Sequence, residues 1–167
     1  MSFNPSQGFG SIGIIASASQ TFNDGTGPVV VFGTQNFATG ITLTGGALFT
    51  FDNANDRITV NQTGTYLVAV VGPGFSAQTV GATRRVLCNL DLRVAASPVS
   101  QSAMTFINSA GTTDTAYIQN TLSQILQLTS GDNVDCTFIQ TSGNNWASDN
   151  TTNYSARLMI TQLAKAL

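Results

Sequence analysis

Ile58-Thr59-Val60-Asn61-Gln62-Thr63-Gly64-Thr65-Tyr66-Leu67-Val68-Ala69-Val70-Val71 decides the fold. Ile58 and Val60 alternate with polar neighbours, the pattern of a half-buried strand. Asn61 to Gly64 break the pattern with turn residues, and Gly64 is free to take a positive φ. From Tyr66 to Val71 the chain is apolar enough to be buried on both faces. One strand, a tight corner and a more central strand predict a β-sandwich.

The rest of the chain agrees. Upstream, Ile12 to Phe22 reads as a first strand and Asn23-Asp24-Gly25-Thr26-Gly27-Pro28 as a turn. Val29 to Phe32 is a short strand, Phe37 to Thr44 a connection, and Leu48 to Phe51 the next strand. Asp52-Asn53-Ala54-Asn55-Asp56 turns the chain into Ile58. Downstream, Val86, Cys88, Leu90, Leu92 and Val94 alternate cleanly, and Pro98 is expected to end that strand. Gln101 to Ile107 is another strand, and Thr115 to Leu128 favours strand through Thr115, Tyr117, Ile118 and Thr121. Val134, Cys136 and Phe138 point inward. Ser142 to Asn153 is a polar loop around Trp146, and Tyr154 to Leu163 closes the domain. About ten strands separated by turn signals predict an all-β, two-sheet antiparallel sandwich.

Composition narrows the function. The 167 residues are 42% hydrophobic and only 8% charged, and all eight acids are Asp. That length predicts one domain with a real core, residues 11–167, preceded by an arm, residues 1–10. A net charge of −2 and a lone basic pair, Arg84-Arg85, argue against nucleic-acid binding. No apolar stretch approaches the ~20 residues of a membrane helix. The start carries no basic region followed by an apolar run, so the chain is expected to be made in the cytoplasm without a signal peptide.

Three blocks carry a resemblance. Phe49, Phe51, Ile58, Val60, Gly64, Tyr66 and Val68 resemble the "F…F..P..G.Y.F" signature of C1q-like domains, in the C1q and tumour-necrosis-factor jelly-roll superfamily. Leu126-Gln127-Leu128-Thr129-Ser130-Gly131-Asp132-Asn133-Val134 resembles its "L-x-L-x-x-G-D-x-V" corner. Tyr154-Ser155-Ala156-Arg157-Leu158-Met159-Ile160 resembles its closing "F-S-G-F-L-I" strand, with Ala156 in place of the glycine. The resemblance implies a jelly roll and a compact homotrimer, both termini at one end. By motif position it puts Tyr66, Tyr117 and Ile118 at the trimer interface. It also makes neighbours of the strands that carry Cys88 and Cys136. Two thiols on inward positions read as buried small hydrophobes, or as a cross-strand disulfide.

The chemistry-bearing residues are few. Without a histidine the chain lacks the commonest general base and metal ligand. Asp52, Asp56 and Asp132 sit at corners, where Asp caps its own turn. Calcium, which some C1q-like trimers bind, would find oxygen ligands in Asp52 to Asp56, but not the spacing of an EF-hand; no cofactor is expected. Trp146 reads either as a sugar-stacking anchor or as a loop residue folded onto the sandwich. The arm reads either as a frayed terminus or as an anchor to a larger body, with Phe3 and Phe9 as plugs. Asn61, Asn150 and Asn153 head glycosylation sequons of the kind that chance supplies in so Asn- and Thr-rich a chain.

These features lead to a non-enzymatic trimer on a virion surface, such as a bacteriophage head-decoration or fibre-knob protein, partnered by a capsid or fibre protein. The alternative is a receptor- or glycan-binding trimer at an adhesin tip or spore surface. A single-jelly-roll capsid protein lacks the basic arm for a genome, and an enzyme lacks a base.

Overall fold

A computed structural model describes residues 9–40, 42, 44–76, 78–79, 84–108, 113–114, 118–149 and 154–166. They form β1 (Ser11–Ile15), β2 (Thr21–Phe22), β3 (Thr34–Ala38), β4 (Phe49–Asp52), β5 (Arg57–Val60), β6 (Gly64–Val71) and β7 (Gln78–Thr79). The second half adds β8 (Arg84–Val94), β9 (Ser97–Asn108), β10 (Thr113–Asp114), β11 (Thr121–Leu128), β12 (Asn133–Gln140), β13 (Trp146–Ala147) and β14 (Arg157–Lys165). The first sheet has the order β11-β6-β14-β1-β3 and the second β4-β5-β12-β8-β9, with every pairing antiparallel. Two short pairs, β10-β7 and β13-β2, complete the jelly roll. No helix among the described residues is long and apolar enough to cross a membrane.

The period-2 pattern explains the core. Ile12 and Ile14, Tyr66, Val68 and Val70, and Leu158 and Ile160 point inward from the first sheet. Ile58 and Val60, then Val86, Cys88, Leu90 and Leu92, then Val134, Cys136 and Phe138 meet them from the second. The corner after β11 follows from its sequence. Gly131 takes φ 99°, Asp132 Oδ2 accepts from Thr129 N at 2.8 Å, and Gly131 N donates to Val60 O at 2.8 Å. One turn thus caps itself and ties β11–β12 to the end of β5.

Several boundaries differ from the sequence reading. Ile12 to Phe22 is not one strand: the chain leaves the ladder after Ile15 and pairs again only at Thr21. Gln20 steers this detour, donating to Val29 O at 2.8 Å and accepting from Val31 N at 2.9 Å. Val29 to Phe32 makes a single bridge to β12, while β3, Thr34 to Ala38, takes in Phe37 and Ala38, the start of the expected connection. Pro98 does not end the strand of Val86 to Val94, which stops at Val94. It lies inside β9, an edge strand, where a missing N–H costs no ladder bond. Ala95 and Ala96 alone turn the chain from Val94 to Ser97, at φ 49° and 64°.

The cysteines are neighbours by strand but not by position. Cys136 stands opposite Leu92, and Cys88 opposite Gln140. The offset of four residues is ~13 Å along the ladder, beyond the reach of a disulfide, and both thiols are free and buried. Burial pushes the Cys88 thiol up to about 12 and raises that of Cys136 as well, so both behave as small apolar side chains.

Candidate interaction face

Only one face of the first sheet meets the second. The strand register defines what the other face presents. Ile125 of β11 stands opposite Leu67 of β6, and Leu67 opposite Thr161 of β14. In the next row Ser123 faces Ala69, Ala69 faces Met159, Met159 faces Gly13, and Gly13 faces Phe37 of β3. Ile125 is 59% exposed, and Leu67, Met159, Leu163 and Phe37 are exposed too. Phe9, where the described chain begins, is 63% exposed. Arg157 is the only charged residue at the outward positions of β1, β6, β11 and β14. An apolar, nearly uncharged sheet face of this kind is what one expects of a surface that meets protein rather than water.

A glycine lets the aromatic part of this face lie flat. A Cβ at Gly13 would come within 2.6 Å of Phe37 Cε1. The ring therefore rests on bare backbone beside Met159.

The structure moves the expected interface residues inward. Tyr66 is fully buried on the core side of β6, and its hydroxyl donates to Gln62 O and accepts from Gln162 Nε2 at 3.3 Å. Burial raises its pKa, against the Gln162 hydrogen bond. Ile118 is buried in the same core, bridged to Phe75. Both side chains are enclosed by the single chain itself; the outward residue is Leu67, one position on from Tyr66. Tyr117 and Phe3 lie outside the described residues, as do Asn150 and Asn153. Asn61 Nδ2 is spent on Ala47 O and Thr50 Oγ1.

Trp146 is no exposed anchor. It is 1% exposed, packed 5.5 Å from Phe75 in a cluster with Phe22 and Phe138. Gln140 explains the fold-back. Its buried amide donates to Phe22 O at 3.1 Å and Asn144 O at 2.7 Å, while its Oε1 accepts from Ser142 N at 2.7 Å. Those bonds pull the polar loop over the end of the sandwich and carry Trp146 in with it.

The carboxylates at the corners cap turns. Asp52 accepts from Ala54 N, Asn55 Nδ2 and Arg57 Nε. The Asn55 hydrogen bond, helped by Arg57, holds its pKa below the usual value. Asp56 accepts from Phe32 N at 2.7 Å; burial pushes its pKa up, although that hydrogen bond opposes the shift. Asp135 forms a two-point fork with Arg93 across the second sheet, at 2.6 and 2.9 Å. Among the described residues no three His, Cys, Asp or Glu converge.

No protein-family model matches this chain, and no curated protein matches it in sequence. Solved structures do match it. The Eiger tumour necrosis factor of S. frugiperda superposes with a TM-score of 0.58 at 13% identity, covering 95% of each chain. Murine APRIL at pH 5.0 superposes with a TM-score of 0.55 at 13% identity, covering 93% of this chain and 100% of its own. At that identity the likeness is one of fold: a two-sheet jelly roll of the tumour-necrosis-factor type.

Proposed function

We infer that this chain is a non-enzymatic structural or binding domain that works as a homotrimer, with the outer face of the first sheet turned toward its sister copies. The carrying observation is the row Ile125–Leu67 and its neighbour Met159–Gly13–Phe37, which leaves large apolar side chains exposed on the outer face of the first sheet. Burying a large aliphatic side chain contributes about 1.5–3 kcal/mol. Several such side chains on each copy, repeated around a ring, supply enough to hold three together. The motif resemblance likewise implies a homotrimer.

The same reading extends to a virion surface. An exterior poor in charge and rich in Thr, Asn, Ser and Gly suits a protein whose contacts are with a shell, where many weak interactions sum to a lasting one. A receptor- or glycan-binding role rested on Trp146 as an anchor, and the burial of that side chain removes its support. Co-sedimentation of the purified chain with particles tests the virion role. Saturable binding supports it; particles that sediment without the chain at tens of micromolar contradict it.

A further inference from the structure

β9 and β11 are edge strands, one from each sheet, and β11 lies across from β9 and β8 on one flank of the sandwich. Their core-facing positions follow from the register. Met104, Ser102 and Ser100 of β9 stand opposite Cys88, Leu90 and Leu92, all buried. Leu122, Gln124 and Leu126 of β11 stand opposite Val70, Val68 and Tyr66, also buried. Yet Ser100, Ser102 and Met104 are only half-buried, and Gln124 is exposed. This flank of the core is open to solvent.

Asn120 continues the inward parity of β11, two residues before Leu122, and is 4% exposed. Its backbone oxygen accepts from Gly72 N at 2.8 Å, which keeps it on the ladder with the first sheet. Its side chain crosses to the second. Nδ2 donates to Cys88 O at 2.9 Å and to Ser102 O at 3.0 Å, both carbonyls of the β8–β9 pair. The amide can sit only one way, since turning it over would set its oxygen against two carbonyl oxygens. Asn120 Oδ1 is thereby fixed as a buried acceptor, and it meets no donor among the described residues. Folded proteins seldom leave such an atom unmade.

The missing donor is small and neutral. β9 and β11 carry no charged residue, so nothing on this flank favours an ion. Water enters buried sites that are polar, leaves apolar ones dry, and takes two to four polar partners. Ser102 is held against the same amide through its carbonyl and faces inward, which brings a hydroxyl-bearing residue to the site.

We propose that a water molecule is bound at Asn120 Oδ1, between β11 and the β8–β9 pair, so that the amide and its water together staple the first sheet to the second. The proposal does not rest on the trimer. Crystal structures of the full chain in two crystal forms, at a resolution that orders solvent, test it. The expected result is a water oxygen about 2.7–3.2 Å from Asn120 Oδ1 in both forms, with Nδ2 still on Cys88 O and Ser102 O. A donor of the chain itself on Oδ1 overturns the proposal. So does an Oδ1 with no ordered solvent in reach, or a water present in one form and absent from the other.

Discussion

The ring of Phe37 occupies the space that a side chain on Gly13 would need, 2.6 Å from the position of the missing Cβ. Phe37 lies on an edge strand and is exposed, so the ring can move. Gly13→Ala is therefore expected to cost the fold no more than about 1 kcal/mol, while displacing the ring from the interaction face. Gly64→Ala is the contrast. Its Cβ would lie 2.4 Å from the backbone oxygen of Ala164, which cannot step aside, and about 3 kcal/mol is expected. Equilibrium denaturation of both variants checks the order, and equal costs contradict it.

Leu67→Asp and Ile125→Asp place a carboxylate on the outer face of the first sheet. Each side chain is exposed in the single chain, so the fold and its circular dichroism should persist while self-association is lost. Tyr66→Phe removes a buried hydroxyl and should cost about 1 kcal/mol of stability with native mass unchanged. Size-exclusion chromatography with light scattering reads all three. Dissociation by Tyr66→Phe but not by Leu67→Asp would reverse the assignment of faces.

Ala95 and Ala96 both sit in the left-handed region, which costs an ordinary L-residue about 1–2 kcal/mol. Replacing the pair by Asn-Gly matches the turn's geometry. The double substitution is expected to stabilise by about 1–2 kcal/mol, raising the thermal midpoint by several degrees. No change, or a loss, would show that this turn is not the two-residue hairpin described.

Asp56 gives a pH dependence of defined sign. Burial raises its folded pKa, so its contribution favours the fold below the ordinary carboxylate pKa and falls away as pH rises through the folded value. Asp56→Asn keeps the acceptor for Phe32 N and tolerates φ 53°. It should match or exceed the parent at neutral pH and flatten the profile above the ordinary carboxylate pKa of about 4. Asp56→Ala loses the acceptor and should cost about 1–2 kcal/mol. Denaturation midpoints across that pH range decide; a parent whose stability rises with pH there, relative to Asp56→Asn, contradicts the sign.

The fold was legible because its strands announce themselves. Val86 to Val94 alternate without a break, and Ser130-Gly131-Asp132 closes its corner with its own side chain. The hairpin at Ala95-Ala96 was not legible, since neither residue carries a turn signal and Pro98 reads as a stop. The face was half legible. Tyr66 to Val71 was seen to be apolar on both sides, and that double character is the trace of a face that wants a partner. Motif position pointed to Tyr66, but side chains alternate along a strand, and one step decides between core and surface. Trp146 was ambiguous because what buries it, the Gln140 amide bridging Phe22 and Asn144, joins residues far apart in the chain.

The most direct test of the central claim is the native mass of the unaltered chain at low micromolar concentration. The account predicts a stable species at three times the 17.4 kDa of one chain, converted to single chains by Leu67→Asp. A clean 17.4 kDa species would contradict it, leaving the outer face of the first sheet to some other protein.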